Sequence, residues 1–239
     1  MLTLEARPAP IAIEAERAAV LVVDMQNDFG APGGMFDRAG IDITMIRRVI
    51  EPISRVLVAA RRAHVPVIYL KMEHQPDLSD AGAADCPHRI KHGPFLKVKT
   101  TAPDGTTGRN LIKDTWNTKI IGELAPSEGD VVVSKHRYSG FYQTNLDDTL
   151  KSRGIKYLIV TGCTTSVCVE STVRDAMFRD YSCVVLEDCT AEPIGSDLPR
   201  TNHDASLLVI ERLFGWVSSS GNFIAALGTR CPADEVRRG

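Results

Sequence analysis

The sequence predicts an α/β protein of three layers, helices on both faces of a mostly parallel six-stranded sheet. Three observations carry this. Short apolar runs alternate with longer stretches of helical period along almost the whole chain. The runs are apolar at nearly every position, as in Ala18-Ala-Val-Leu-Val-Val23, which marks strands covered on both faces. The intervening stretches are long enough for the crossovers that parallel neighbours require.

In order, the first sheet strand is 18–23. A helix follows over about 42–63, where Ile46, Val49, Ile50, Ile53, Val56, Leu57 and Ala60 mark one face. Pro66-Val-Ile-Tyr-Leu70 is the second strand. Residues 72–115 hold few periodic apolar positions and many Gly and Pro, so they read as a long active-site or interface loop. A short helix at 117–124 leads to strand 130–134. Helix 144–153 stops at Gly154, a suitable residue for the left-handed position after a helix. Strand 156–161, helix 166–180, strand 182–187 and helix 201–213 follow, then a short strand at Trp216-Val217 and a last helix at 219–227. Residues 229–239 are polar and expected to fray. No Gly-x-Gly-x-x-Gly follows a strand, and Gly33-Gly34 reads as a turn, so no dinucleotide cofactor is expected.

A chain of 239 residues suits one domain, 1–239, with a substantial core. The net charge of −2 offers nothing to nucleic acid or an anionic membrane. No apolar run approaches the roughly 20 residues of a membrane span. The N-terminus lacks a signal-peptide core, so a cytoplasmic location is expected. Six cysteines occur without a Cys-x-x-Cys pair and read as free thiols rather than a disulfide framework. His88 and His92 have the spacing of metal ligands on a helix, but Pro87, Gly93 and Pro94 suggest a loop there, and no metal is expected.

Chemistry gathers at strand ends. Strand 18–23 delivers Asp24, strand 130–134 delivers Lys135, and the apolar run Tyr157-Leu-Ile-Val160 leads through a turn to Cys168 at the start of a helix. In a parallel sheet these ends share one rim, where open α/β folds bind ligands. A helix N-terminus favours a thiolate through its dipole and free N–H groups. Taken singly, Asp24 reads equally as a helix cap, Lys135 as a surface lysine and Cys168 as a small buried hydrophobe.

Together, Leu21-Val-Val-Asp24-Met-Gln-Asn27, Lys135-His-Arg-Tyr-Ser-Gly-Phe141 and Thr161-Gly-Cys-Thr-Thr-Ser-Val-Cys168-Val-Glu-Ser-Thr172 resemble the isochorismatase-like cysteine hydrolase superfamily, with its Rossmann-like fold. Within it, Arg137-Tyr-Ser-Gly-Phe141, Val167-Cys-Val-Glu-Ser-Thr172 and Phe214-Gly-Trp-Val-Ser218 are most similar to ureidoacrylate amidohydrolases of pyrimidine breakdown. The resemblance runs from about residue 5 to 227. It implies Cys168 as nucleophile, Asp24 as general base and Lys135 as the cation that holds their charges. It also implies an oxyanion hole of the Thr164 and Cys168 N–H groups, with a cis peptide at Cys163-Thr164. Turn and cap chemistry explains Thr164 and Thr165 equally well.

For substrate, Asn27 is a candidate for holding a ureido or carboxylate group, and Tyr138, Phe141 and Trp116 for walling the pocket; each aromatic reads equally as core. Glu170 and Arg174 are expected to form a buried i,i+4 ion pair. Related nicotinamidases carry an Asp-x-His metal cluster where this chain has Lys71-Met-Glu-His-Gln-Pro-Asp77. The resemblance therefore implies no metal and no cofactor, a small ureido or carbamoyl substrate cleaved at its C–N bond, and a homo-oligomer of two or four copies. Biuret, triuret or another N-carbamoyl compound is the second candidate substrate, because His74-Gln-Pro-Asp-Leu-Ser-Asp80 departs from the ureidoacrylate enzymes. Two readings of another class are an isochorismate vinyl-ether hydrolase, which needs no thiol and against which Cys168 counts, and a non-catalytic partner domain, which would not need to retain all of Asp24, Lys135 and Cys168.

Overall fold

The computed structural model describes residues 1–228; the frayed end expected at 229–239 lies outside them. A small antiparallel pair, β1 (Leu2–Leu4) and β2 (Ile11–Ile13), precedes the sheet. The chain then runs through β3 (Ala18–Val23), the short helices α1 (Asn27–Gly30), α2 (Met35–Arg38) and α3 (Thr44–Arg48), the long α4 (Ile50–Arg62), and β4 (Val67–Met72). Next come α5 (Pro87–Leu96), a hairpin of β5 (Lys99–Thr101) and β6 (Thr107–Arg109), β7 (Val131–Lys135) and α6 (Leu146–Ser152). Last are β8 (Tyr157–Cys163), α7 (Glu170–Met177), β9 (Ser182–Ala191), α8 (Asn202–Val209), β10 (Trp216–Ser218) and α9 (Ser220–Gly228).

The six main strands form one sheet in the order β10-β9-β8-β3-β4-β7, with every pairing parallel. β3 shows why its run is apolar throughout. Ala18, Val20 and Val22 point into the core beneath α4 and α9, while Ala19, Leu21 and Val23 point into the core on the side of α6 and α7. Alternate side chains of a strand face opposite ways, so a doubly covered strand has no position for a polar residue. On α4, Ile50, Ile53, Val56, Leu57 and Ala60 are buried, the one-sided stripe read from the sequence.

Several expectations change. The helix expected over 42–63 is two helices meeting at Val49. Segment 117–124 is two 3₁₀ turns. The segment 72–115 is not a structureless loop but holds α5 and the β5–β6 hairpin. Pro87 takes the first helical position, where its missing N–H costs nothing, and Pro94 falls in the last turn of α5. The two breakers frame this helix rather than forbid it. β9 continues to Ala191, past the apolar run that announced it. Glu170 and Arg174 do pair, at 2.7 Å, but the pair is part-exposed rather than buried.

Candidate active site

The rim of the sheet brings Asp24, Lys135 and Cys168 into one cluster. Their strands are not all neighbours, because β4 lies between β3 and β7. Lys135 pairs in register with Met72 at the end of β4 and reaches across it, its Nζ 3.7 Å from Met72 Sδ. Two strand spacings are roughly 10 Å, so a long cationic side chain is needed to bridge them. Lys135 Nζ donates to Asp24 Oδ2 at 2.7 Å and to the Arg137 carbonyl at 3.2 Å, and it lies 3.4 Å from Cys168 Sγ.

Asp24 sits in the left-handed region, φ 51°, which Asp tolerates better than most residues. Its N–H donates to the Leu70 carbonyl, and its own carbonyl accepts from the Cys163 thiol. On β8, Gly162 passes so close to Val23 that an added Cβ would lie 2.0 Å from the Val23 carbonyl oxygen. Only glycine fits there, and the ladder to β9 shifts register at this point. Beyond it, Cys163-Thr164 is cis, as the resemblance implies. A π-helical turn, Thr165–Val169, then carries Cys168 into α7. Thr172 Oγ ties this turn down, donating to the Cys168 carbonyl and accepting from the Gly140 N–H.

Electrostatics here differ from the thiolate read from the helix end. Burial and then the neighbouring Asp24 carboxylate push the Cys168 thiol far above its ordinary value, and Lys135 only partly opposes them. This balance favours the neutral thiol of Cys168 beside the Asp24–Lys135 pair, whose Oδ2 and Nζ are 2.7 Å apart. Burial also raises Asp24, against the pull of Lys135 and the hydrogen bond from Cys168. Burial weakens the charge on Lys135, but attraction to Asp24, the largest influence raising it, outweighs burial and holds the ammonium. Asp24 Oδ2 is taken by Lys135, while Oδ1 is buried without a conventional hydrogen-bond partner. A free carboxylate oxygen beside a neutral thiol is what proton transfer from that thiol requires.

Cys168 forms the floor of a cavity of about 270 Å³. Its walls are mostly apolar, with Phe29, Phe36, Met72, Phe95, Leu111 and Ile194 prominent. Thr164 lies beside the thiol, and Tyr138 and His92 supply the other polar groups. A wider groove of about 670 Å³ runs along the β5–β6 hairpin and contains none of the three central residues.

Of the four expected substrate contacts, only Tyr138 lines this cavity. Phe141 is buried in the core on the α6–α7 side, stacked on Tyr181 at 5.8 Å. Asn27 starts α1 and spends its side-chain amide on the Trp116 carbonyl, at 2.8 Å. Trp116 sits in the 3₁₀ turn that receives that bond, outside the cavity lining. Two residues went unread. Glu192, fully buried, accepts from the Ser166 N–H and hydroxyl and from the Ile194 N–H, joining the nucleophile turn to the cavity wall. The two acids Glu187 and Asp188 hid the continuation of β9 that delivers it. His92 was set aside with the supposed loop. His88 and His92 stack at 4.3 Å on α5, yet among the described residues no three His, Cys, Asp or Glu side chains group as metal ligands.

Residues 18–221 match the isochorismatase domain family. The chain belongs to that family. Among its relatives, it is 42% identical over 234 residues to "Ureidoacrylate amidohydrolase RutB" of Methylobacterium radiotolerans, covering 97% of this chain and 88% of that one. It is 40% identical over 232 residues to the protein of the same name from Klebsiella pneumoniae, covering 97% and 96%. Among solved structures it resembles a cysteine hydrolase from Pseudomonas syringae, with a TM-score of 0.76 and 32% identity over 91% of this chain and 95% of that one. N-carbamoylsarcosine amidase from Thermoplasma acidophilum superposes with a TM-score of 0.63 at 28% identity, covering 85% and 96%. These likenesses span the whole sheet and the cluster at its rim. No helix among the described residues is long and apolar enough to cross a membrane.

Proposed function

We propose that this protein is a cysteine amidohydrolase that cleaves a C–N bond of a small ureido compound, with ureidoacrylate the first candidate. The observation that carries it is the buried thiol of Cys168, in contact with the Asp24–Lys135 pair and lining a mostly apolar cavity. The names of its relatives agree with that class. Asp24 Oδ1 takes the thiol proton as sulfur bonds to the ureido carbon. The oxyanion lies against the N–H groups of Thr164 and Cys168. When the tetrahedral intermediate collapses, the C–N bond breaks and Asp24 returns the proton to the leaving nitrogen. Water then attacks the thiocarbamate so formed, losing its proton to Asp24, and the departing sulfur recovers it. Lys135 remains charged throughout and offsets the charge that passes between carboxylate and thiol.

One observation favours a second substrate. The cavity wall carries no lysine or arginine to meet a carboxylate, which suits an uncharged N-carbamoyl compound such as biuret. A homo-oligomer in the cytoplasm, serving nitrogen release from pyrimidines, completes the proposal. The exposed Phe178 and Leu213 beside Phe214 support the first part, and sedimentation of the purified chain tests it.

Ammonia release from ureidoacrylate, biuret and N-carbamoylsarcosine is the direct test of function. Turnover of at least one is expected in the wild type and none in Cys168→Ala. Loss of activity on thiol modification should track the adduct on Cys168, whatever happens at the less buried Cys86. Full activity in Cys168→Ala would overturn covalent catalysis.

A further inference from the structure

We propose that His92 and Tyr138 form a polarised pair in which Tyr138 Oη is a fixed hydrogen-bond acceptor for the amino group of the substrate. This rests on the ureido or carbamoyl reading above and says how such a group is recognised. His92 Nδ1 lies 3.0 Å from the His88 carbonyl one turn back on α5. A carbonyl oxygen has no proton to give, so Nδ1 carries one. With that proton on Nδ1, we place Nε2 as the acceptor of the ring. Tyr138 Oη is 3.0 Å from that Nε2 and must be the donor. With its only proton committed, the phenol can offer the cavity nothing but lone pairs.

The surroundings hold this arrangement. His88 stacks on His92 at 4.3 Å, and Tyr138 meets the His92 ring edge-on at 5.5 Å. Burial above all pushes His88 down to about 3, so its ring is neutral. Both His92 and Tyr138 line the cavity whose floor is Cys168. Burial, and then any negative charge at Cys168, hold the phenol in its protonated form. Around it, Phe29, Phe36, Phe95 and Ile194 have no hydrogen-bonding side chain. An N–H group is what the Tyr138 oxygen lacks, and the terminal amino group of a carbamoyl unit supplies one at the reacting end of the substrate. A site built to bond a polar group disfavours an analogue without it; Tyr138 is 38% exposed, so water meets part of that loss and the discrimination is modest.

Binding separates this inference from the question of turnover. The probe is protection of Cys168 from methyl methanethiosulfonate, which carries no N–H. The ligands are N-carbamoyl-β-alanine and its methoxycarbonyl analogue, which puts an ether oxygen where the amino group was. Each protection is normalised to the rate of the same variant without ligand. The wild type should prefer the carbamoyl ligand by about threefold, the scale of one hydrogen bond at a partly exposed acceptor. Tyr138→Phe should bring the ratio near one. His92→Leu frees the phenolic proton, so the methoxycarbonyl ligand should gain and the preference shrink or reverse. A merely structural role for His92 would weaken both ligands alike. Preference retained in Tyr138→Phe, an unchanged ratio in His92→Leu, or no protection of the wild type by either ligand would overturn the proposal. Protection with the expected ratio but no hydrolysis of any ureido compound would sink the amidohydrolase reading and leave this one standing.

Discussion

Lys135 spends its ammonium on a carboxylate, a carbonyl and a thiol in a site almost without solvent. Its worth lies in what it does to Asp24. Burial raises that carboxyl group, and the Lys135 cation is the largest influence lowering it. In Lys135→Met the lowering is lost, so Asp24 keeps its proton to higher pH. The base form of the enzyme then appears later as pH rises, and the acidic limb of kcat/KM should move upward. Lys135→Arg should rescue this only in part, because the planar guanidinium does not fit a site built around a compact ammonium. Asp24→Asn removes the base and should lower kcat/KM by roughly 10²–10⁴-fold with the fold retained. The pH profiles of the three variants are the measurement; a wild-type acidic limb in Lys135→Met would make Lys135 a structural residue. The neutral resting thiol could not be read from the sequence. The motif shows a helix end and a lysine, both favouring the thiolate, but burial and the facing carboxylate outweigh them.

Among the elements, the cover of the cavity depends on one buried carboxylate. Asp28 accepts from the Met35 N–H at 3.0 Å, the Leu111 N–H at 2.7 Å and Asn117 Nδ2 at 2.6 Å. It thereby pins α1, α2 and the segment after the hairpin to one another. Phe29, Phe36 and Leu111, which wall the cavity, all belong to these pieces. Asp28→Ala would leave three donors without an acceptor, two of them buried, and should cost about 3 kcal/mol in urea unfolding. The cavity should loosen while the triad stays in place, so KM should rise more than kcat falls. A variant with wild-type KM would show the cover to be held by packing alone. The sheet strands and α4 were legible because burial imposes a period on them. α5 was not, because its identity rests on where Pro87 and Pro94 fall within the helix, and residue content does not reveal position.

For the whole molecule, the expectation of metal independence follows from the missing Asp-x-His cluster. Prolonged dialysis against EDTA should leave turnover unchanged, whichever ureido compound is hydrolysed. Activity lost to the chelator and restored by zinc or manganese would show that His74, His88 and His92 had been misjudged.

The three-layer α/β class, the parallel strands and the convergence of Asp24, Lys135 and Cys168 on one rim were legible in the sequence alone. Strands buried on both faces must be apolar throughout, and a parallel sheet must send its strand ends to one rim, so composition and order suffice. The rest was decided by tertiary structure. Placement of β4 between β3 and β7 makes the length of Lys135 matter. Extension of β9 past its apolar run brings Glu192 under the nucleophile turn. Packing of α5 over the sheet rim puts His92 against Tyr138 and leaves Phe141 in the core. These features share a physical cause: each depends on contacts between segments far apart in the chain, whose distances no local pattern of residues encodes.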